Sequence, residues 1–117
     1  MGLSTHVLDT MHGCPAAGMA VALFATAGDA PTLLKRCTLG PDGRTPDGPL
    51  VETAGLKQGT YRLVFAVGDY FRSCGVALPD PPFLDQVSVD FGVAEPSRHY
   101  HVPLLVSPWS YSTYRGS

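Results

Sequence analysis

Three stretches of this chain alternate apolar and non-apolar residues with a period of two, and that rhythm sharply limits what it can fold into. Tyr61, Leu63, Phe65 and Val67 fall on one side of an extended segment. Val87, Val89, Phe91 and Val93 do the same, with Ser88 and Asp90 opposite, and Met19, Val21, Leu23 and Ala25 make a third row. Residues two apart share one face of a β-strand, so such alternation marks half-buried antiparallel strands. Weaker candidates lie at 3–10, 32–39, 98–106 and 110–115, with a short strand near 49–53. Glycine (13) and proline (11) are spread along the chain, punctuating it at the spacing of about 8 to 12 residues that suits a sandwich or barrel. Asp42-Gly43 and Asp47-Gly48 read as turns, because glycine tolerates positive φ. Pro79, Pro81 and Pro82 make 79–82 an extended connection outside any central strand. Between the strand at 60–67 and those prolines, Asp69 is placed to cap a short helix that Gly75 ends. The pattern predicts an all-β antiparallel sandwich of about eight strands with one short helix.

The 117 residues suit one domain, 1–117, with a core burying roughly two-thirds of the unfolded surface. Hydrophobic residues at 44% and charged residues at 15% exclude a disordered chain. A net charge of −2 with scattered Lys and Arg leaves no basic footprint for nucleic acid or an anionic membrane. No apolar run approaches the ~18 residues of a membrane span. The opening Met1-Gly2-Leu3-Ser4-Thr5-His6 has neither a basic nor an apolar leader region, and the expectation is a cytoplasmic protein. Cys14, Cys37 and Cys74 are odd in number and form no C-x-x-C, so three reduced, mostly buried thiols are expected.

The residues able to do chemistry are few. Of four histidines, His99 and His101 are two apart and would project from one face of a strand. His101 adjoins the apolar run Val102-Pro103-Leu104-Leu105-Val106, and His6 lies within the first strand. Histidine near its ordinary pKa of ~6.5 suits proton transfer at neutrality, although a histidine inside an apolar strand is more often structural. His6, His99 and His101 also admit a zinc-site reading, without a diagnostic third spacing. Arg44, after the Asp42-Gly43 turn, is either a solvated loop residue or a clamp for an anion or carbonyl. Trp109, Tyr111 and Tyr114 crowd the C-terminal end, where polar, fraying residues are the rule. Such an end reads as a docked strand, which leaves Arg115 and Ser117 unexplained. No G-x-S-x-G, phosphate loop or dinucleotide fingerprint occurs.

The order of motifs adds a resemblance. Thr5-His6-Val7-Leu8-Asp9-Thr10 followed by Gly13-Cys14-Pro15-Ala16 is similar to the opening motif of the transthyretin-related 5-hydroxyisourate hydrolases. Asp42-Gly43-Arg44 is similar to their middle motif, and Gly59-Thr60-Tyr61-Arg62 with Gly68-Asp69-Tyr70-Phe71 to their central strand and helix. Tyr100-His101-Val102-Pro103-Leu104-Leu105-Val106-Ser107-Pro108 leads into the ending Ser112-Thr113-Tyr114-Arg115-Gly116-Ser117. The resemblance runs in order over essentially the whole chain. It fades at 29–38 and at the proline-rich 76–84, both read as surface connections.

This resemblance implies a transthyretin-like sandwich, assembled as a homotetramer (a dimer of dimers) with active sites between subunit pairs. It implies hydrolysis of 5-hydroxyisourate, the opening of a cyclic amide, with no metal or organic cofactor. Carried over by motif, the catalytic residues are His6, Arg44, His101 and Ser117, with Tyr114 and Arg115 binding substrate. His99 is at most a neighbour of the site, and His12 a loop residue. His6 and His101 would share the proton traffic, with His101 the favoured base on water, and Arg44 would stabilise the oxyanion. Three rival readings remain open: a transthyretin-like carrier of a small aromatic ligand, a purely structural sandwich, and a zinc hydrolase on the same histidines. The ending Tyr114-Arg115-Gly116-Ser117 separates the enzymes of the family from its carriers.

Overall fold

The computed structural model describes residues 2–116. Eight strands and one helix follow in order: β1 (Leu3–Asp9), β2 (Cys14–Pro15), β3 (Ala20–Ala25), β4 (Thr32–Thr38), β5 (Gly59–Phe65), α1 (Val67–Ser73), β6 (Val87–Val93), β7 (Tyr100–Val106) and β8 (Tyr111–Thr113). They form two four-stranded sheets, ordered β2-β1-β7-β8 and β4-β3-β5-β6. The alternation read from the sequence is what closes them face to face. Val21 and Leu23 of β3, Tyr61, Leu63 and Phe65 of β5, and Val87 and Val93 of β6 are buried against Leu3 and Val7 of β1 and Leu104 and Val106 of β7. Each such side chain contributes about 1.5–3 kcal/mol by leaving water, so the facing rows hold the register.

Several local expectations need correction. Val67 does not continue its strand; it opens α1 and is buried there. The helix starts two residues before Asp69, with Ala66 at the N-cap and no side-chain capping bond, so Asp69 sits in the first turn instead. Gly75, at φ 84°, follows the helix as expected. The segment near 49–53 makes only an isolated bridge, Leu3 to Val51, before a short 3-10 turn at Thr53–Gly55. Residues 32–38 form an edge strand paired with β3, in line with the strand candidate at 32–39 and contrary to the reading of 29–38 as a surface connection. Cys74 is exposed and Cys14 and Cys37 half-buried, all three free, so the thiols are less buried than expected.

One pairing departs from the antiparallel rule. β1 and β7 run parallel, with Ser4 opposite His101 and His6 opposite Pro103. Parallel neighbours need a long crossover, and here the whole second sheet supplies it. Buried Thr5 reinforces the pair by donating from Oγ1 to Val102 O at 2.7 Å.

At the far end of β1, buried Asp9 accepts the His12 backbone N–H at Oδ1 (3.0 Å). Its Oδ2 accepts the His12 ring Nδ1 at 2.6 Å and the Tyr70 hydroxyl at 2.8 Å. Burial raises the Asp9 pKa, but those donors more than reverse it, so the carboxyl lies below its ordinary value. Burial, and then Asp9 and Cys74, push the Tyr70 phenol well above its own. His12 is thus a partner of a buried carboxylate, and through the same carboxylate the Tyr70 hydroxyl ties α1 to β1.

Candidate active site

The outward-facing positions of β1 and β7 carry the polar chemistry. Ser4 and His6 are half-buried residues of β1 that alternate with buried Leu3, Thr5 and Val7. His101 is the half-buried residue next to buried Tyr100 and Val102. The parallel register sets Ser4 beside His101, and Ser4 Oγ lies 2.8 Å from His101 Nδ1.

Arg44 is brought to these strands by its turn. Val7 N–H donates to Gly43 O at 3.0 Å, and His6 and Arg44 form an antiparallel bridge. Gly43 sits at φ +74° with its Cα against β1; a Cβ there would lie 2.6 Å from Val7 O and 3.0 Å from Pro15 Cβ. Only glycine fits so close an approach. Asp42 Oδ1 accepts the Arg44 N–H at 3.0 Å and closes the turn. His6 Nε2 donates to Asp42 O at 3.0 Å. A carbonyl only accepts, so His6 Nε2 carries the proton of this bond.

Together these elements wall a cleft of about 510 Å³, lined by Ser4, Arg44, Thr45, Pro49, His99 and His101 among others. His101 is the residue whose acidity the cleft changes. Burial lowers its pKa most, followed by Arg44, His99 and His6, against a smaller upward effect of the Ser4 backbone. The imidazole is therefore neutral at neutral pH, the form a base requires.

The C-terminal segment closes one side. Gly116 N–H donates to His101 O at 2.8 Å, extending the β8 side of the sheet along β7. Its Cα rests on the His101 ring so closely that a Cβ would come 2.6 Å from Cδ2.

The family profile described as HIUase/Transthyretin family matches residues 3–116. The chain belongs to that family. Among enzymes named 5-hydroxyisourate hydrolase, that of Rhizobium meliloti (strain 1021), numbered 2, is 57% identical over 115 residues, 98% of this chain and 95% of its own. Among solved structures, (S)-allantoin synthase superposes with a TM-score of 0.93 at 43% identity over 99% of this chain, which spans only 43% of that protein. Sea bream transthyretin in complex with thyroxine superposes with a TM-score of 0.87 at 27% identity, covering 99% of this chain and 95% of that one. The sandwich is thus shared by the family's enzymes and carriers, while the sequence stands much nearer the hydrolases.

Measured against what the family's motifs imply, the structure gathers Arg44 and His101 in one cleft, with His6 bridged to Arg44 beside them. It places Tyr114 and Arg115 elsewhere within one chain. The Arg115 guanidinium stacks 4.2 Å over the Tyr100 ring, and both residues line a separate hollow with Val89 and Phe91. Ser117 lies outside the described residues. His99 and His101 do stack, at 6.3 Å and 13°. The described residues do not draw three His, Cys, Asp or Glu side chains into a metal-holding arrangement, so the zinc reading gains no geometric support. Sequence reasoning overlooked Ser4. Its signal was a hydroxyl two residues before His6 on the same strand face, which became meaningful only with the β1–β7 register.

Proposed function

We propose that this chain hydrolyses 5-hydroxyisourate, opening its cyclic amide to 2-oxo-4-hydroxy-4-carboxy-5-ureidoimidazoline, as one domain over residues 1–117. The observation that carries the reading is a cleft joining a neutral, pKa-lowered His101 to Arg44, with His6 bridged to Arg44 beside it, in a chain 57% identical to a named hydrolase of this substrate. His101 Nε2, left free by the Nδ1 contact to Ser4, takes a proton from water as the water oxygen bonds to the amide carbonyl. The oxyanion that forms is held by the Arg44 guanidinium, a donor whose loss typically costs about 3 kcal/mol of barrier. The C–N bond then breaks, the proton held on His101 passes to the leaving nitrogen, and the carboxylic acid left behind gives the water's other proton to solvent to become a carboxylate. His6, anchored through Nε2 to Asp42 O, orients the water. Positioned histidine catalysis of this kind contributes about 10²–10⁴ in rate.

The working form we propose is a cytoplasmic homotetramer, in which Tyr114 and Arg115 contact substrate only once subunits assemble, and Ser117 completes the pocket. The test is the ultraviolet decay of 5-hydroxyisourate made freshly from urate, followed with and without protein against spontaneous decay. Acceleration proportional to protein, insensitive to chelator and lost in His101→Ala, is expected. Folded protein that leaves the decay unchanged would overturn the hydrolase reading and favour a carrier.

A further inference from the structure

His99 was set aside by the motifs, yet the structure treats it unusually. Its Nδ1 is buried and has no hydrogen-bond partner among the described residues. Its Nε2 lies 3.4 Å from Ser4 Oγ, and its ring stacks nearly parallel to that of His101. Buried polar atoms are nearly always paired, and leaving one unpaired is costly. A histidine kept only for packing would be replaced at no loss by an apolar side chain. This placement brings Nε2 to the same Ser4 hydroxyl that meets His101.

Ser4 is the joint of the row. Its oxygen meets His101 Nδ1 at 2.8 Å and His99 Nε2 at 3.4 Å, and a hydroxyl has one proton to donate and lone pairs to accept. We propose that Ser4 and His99 are positioning residues for His101: the Ser4 hydroxyl accepts from Nδ1–H and donates to His99 Nε2, so that His101 keeps its proton on Nδ1 and presents a bare Nε2 to the cleft. A free imidazole divides itself between two tautomers and turns about χ2; a bonded Nδ1–H removes both freedoms. The Gly116 backbone packs against the ring and limits its rotation on one side. Ser4 stands on a strand whose register with β7 is continuous from Leu3 to Asp9, so the hydroxyl is held by the sheet and not by a loop.

This inference rests on the hydrolase reading with His101 as base, and its test separates the two. Ser4→Ala, Ser4→Thr, His99→Leu and the double variant Ser4→Ala/His99→Leu are compared with the parent in the 5-hydroxyisourate assay. Their ring-nitrogen NMR spectra are recorded on ¹⁵N-labelled protein. Ser4→Ala is expected to lower kcat by about 10²-fold, the loss typical of a reacting group displaced by about 1 Å, with KM nearly unchanged. Ser4→Thr, which keeps the hydroxyl, restores turnover. His99→Leu lowers kcat less, and the double variant falls no further than Ser4→Ala, because His99 acts through Ser4. The His101 nitrogen signals shift from a single Nδ1–H tautomer in the parent to an averaged pattern in Ser4→Ala. Parent-like turnover together with an unchanged His101 tautomer in Ser4→Ala overturns the inference, as does full additivity in the double variant. If the parent itself shows no turnover, the hydrolase reading fails instead, and the tautomer comparison still decides whether Ser4 sets the ring.

Discussion

Replacing Gly116 by alanine adds one methyl group where the C-terminal segment lies on the His101 ring. Gly116 needs no left-handed backbone, so the effect is steric alone. The added Cβ would stand 2.6 Å from His101 Cδ2 and 3.2 Å from its Cβ and Cγ. Carbon atoms rest about 3.5–4.0 Å apart, so the worst contact is short by roughly 1 Å. Two motions relieve it. The segment can lift, giving up the Gly116 N–H bond to His101 O at a net cost of about 1 kcal/mol. Alternatively the ring can turn, breaking the 2.8 Å contact to Ser4. Forcing both to stay would cost about 1–3 kcal/mol as in an overpacked core, so the outcome is a small stability loss, on the order of 4 °C in Tm. The catalytic loss is larger, because a base misplaced by about 1 Å costs roughly 10²-fold in rate. The assays are a thermal melt by circular dichroism and kcat/KM from 5-hydroxyisourate decay. A variant whose kcat/KM stays within about threefold of the parent would show that the His101 ring does not need the C-terminal backbone against it.

Other expectations follow from the same geometry. Asp9→Asn replaces a carboxylate that accepts three donors with an amide whose NH₂ faces one of them, and should destabilise the fold by about 3 kcal/mol in urea unfolding at neutral pH. Because the folded Asp9 pKa is depressed, its stabilisation is complete above the ordinary carboxyl value of ~3.9 and is lost as pH falls through the lower folded value; parent and variant should therefore converge in acid, and a constant difference down to that range contradicts the network. For activity, the lowered His101 pKa puts the acid limb of the kcat/KM profile below the ordinary histidine value of ~6.5, with a plateau at neutral pH. Arg44→Gln should lower kcat/KM by about 10²–10³ and move that limb to higher pH, since the guanidinium is the second-largest influence holding the His101 pKa down; an unmoved limb would separate Arg44 from the base. Gly43→Ala, with its Cβ 2.6 Å from Val7 O at φ +74°, should detach the Arg44 turn and lose activity together with Tm.

What was legible in the sequence was whatever depends on neighbours along the chain. Val87–Val93 could be placed as a strand because its own side chains alternate, and the turn at Gly43 because one residue type tolerates its φ. His6, Arg44 and His101 were legible as candidates only through family motifs, since a histidine in an apolar strand or an arginine after a turn carries no chemistry by itself. The helix start was misplaced because Asp69 offered a good cap, whereas the buried Val67, Tyr70 and Phe71 decided where α1 begins. Burial outweighs a capping bond worth about 1 kcal/mol.

The tertiary structure alone decided the parallel pairing of β1 with β7, a contact between segments separated by most of the chain. That single register turns Ser4 into a partner of His101 and places His99 behind it. The pairing of the C-terminal segment along β7 sends the Arg115 guanidinium over Tyr100 instead of into the cleft. Alternation specifies which face of a strand is buried but carries no information about which strand lies alongside; that choice comes from the summed packing of both sheets, and the proton chemistry of His101 depends on it.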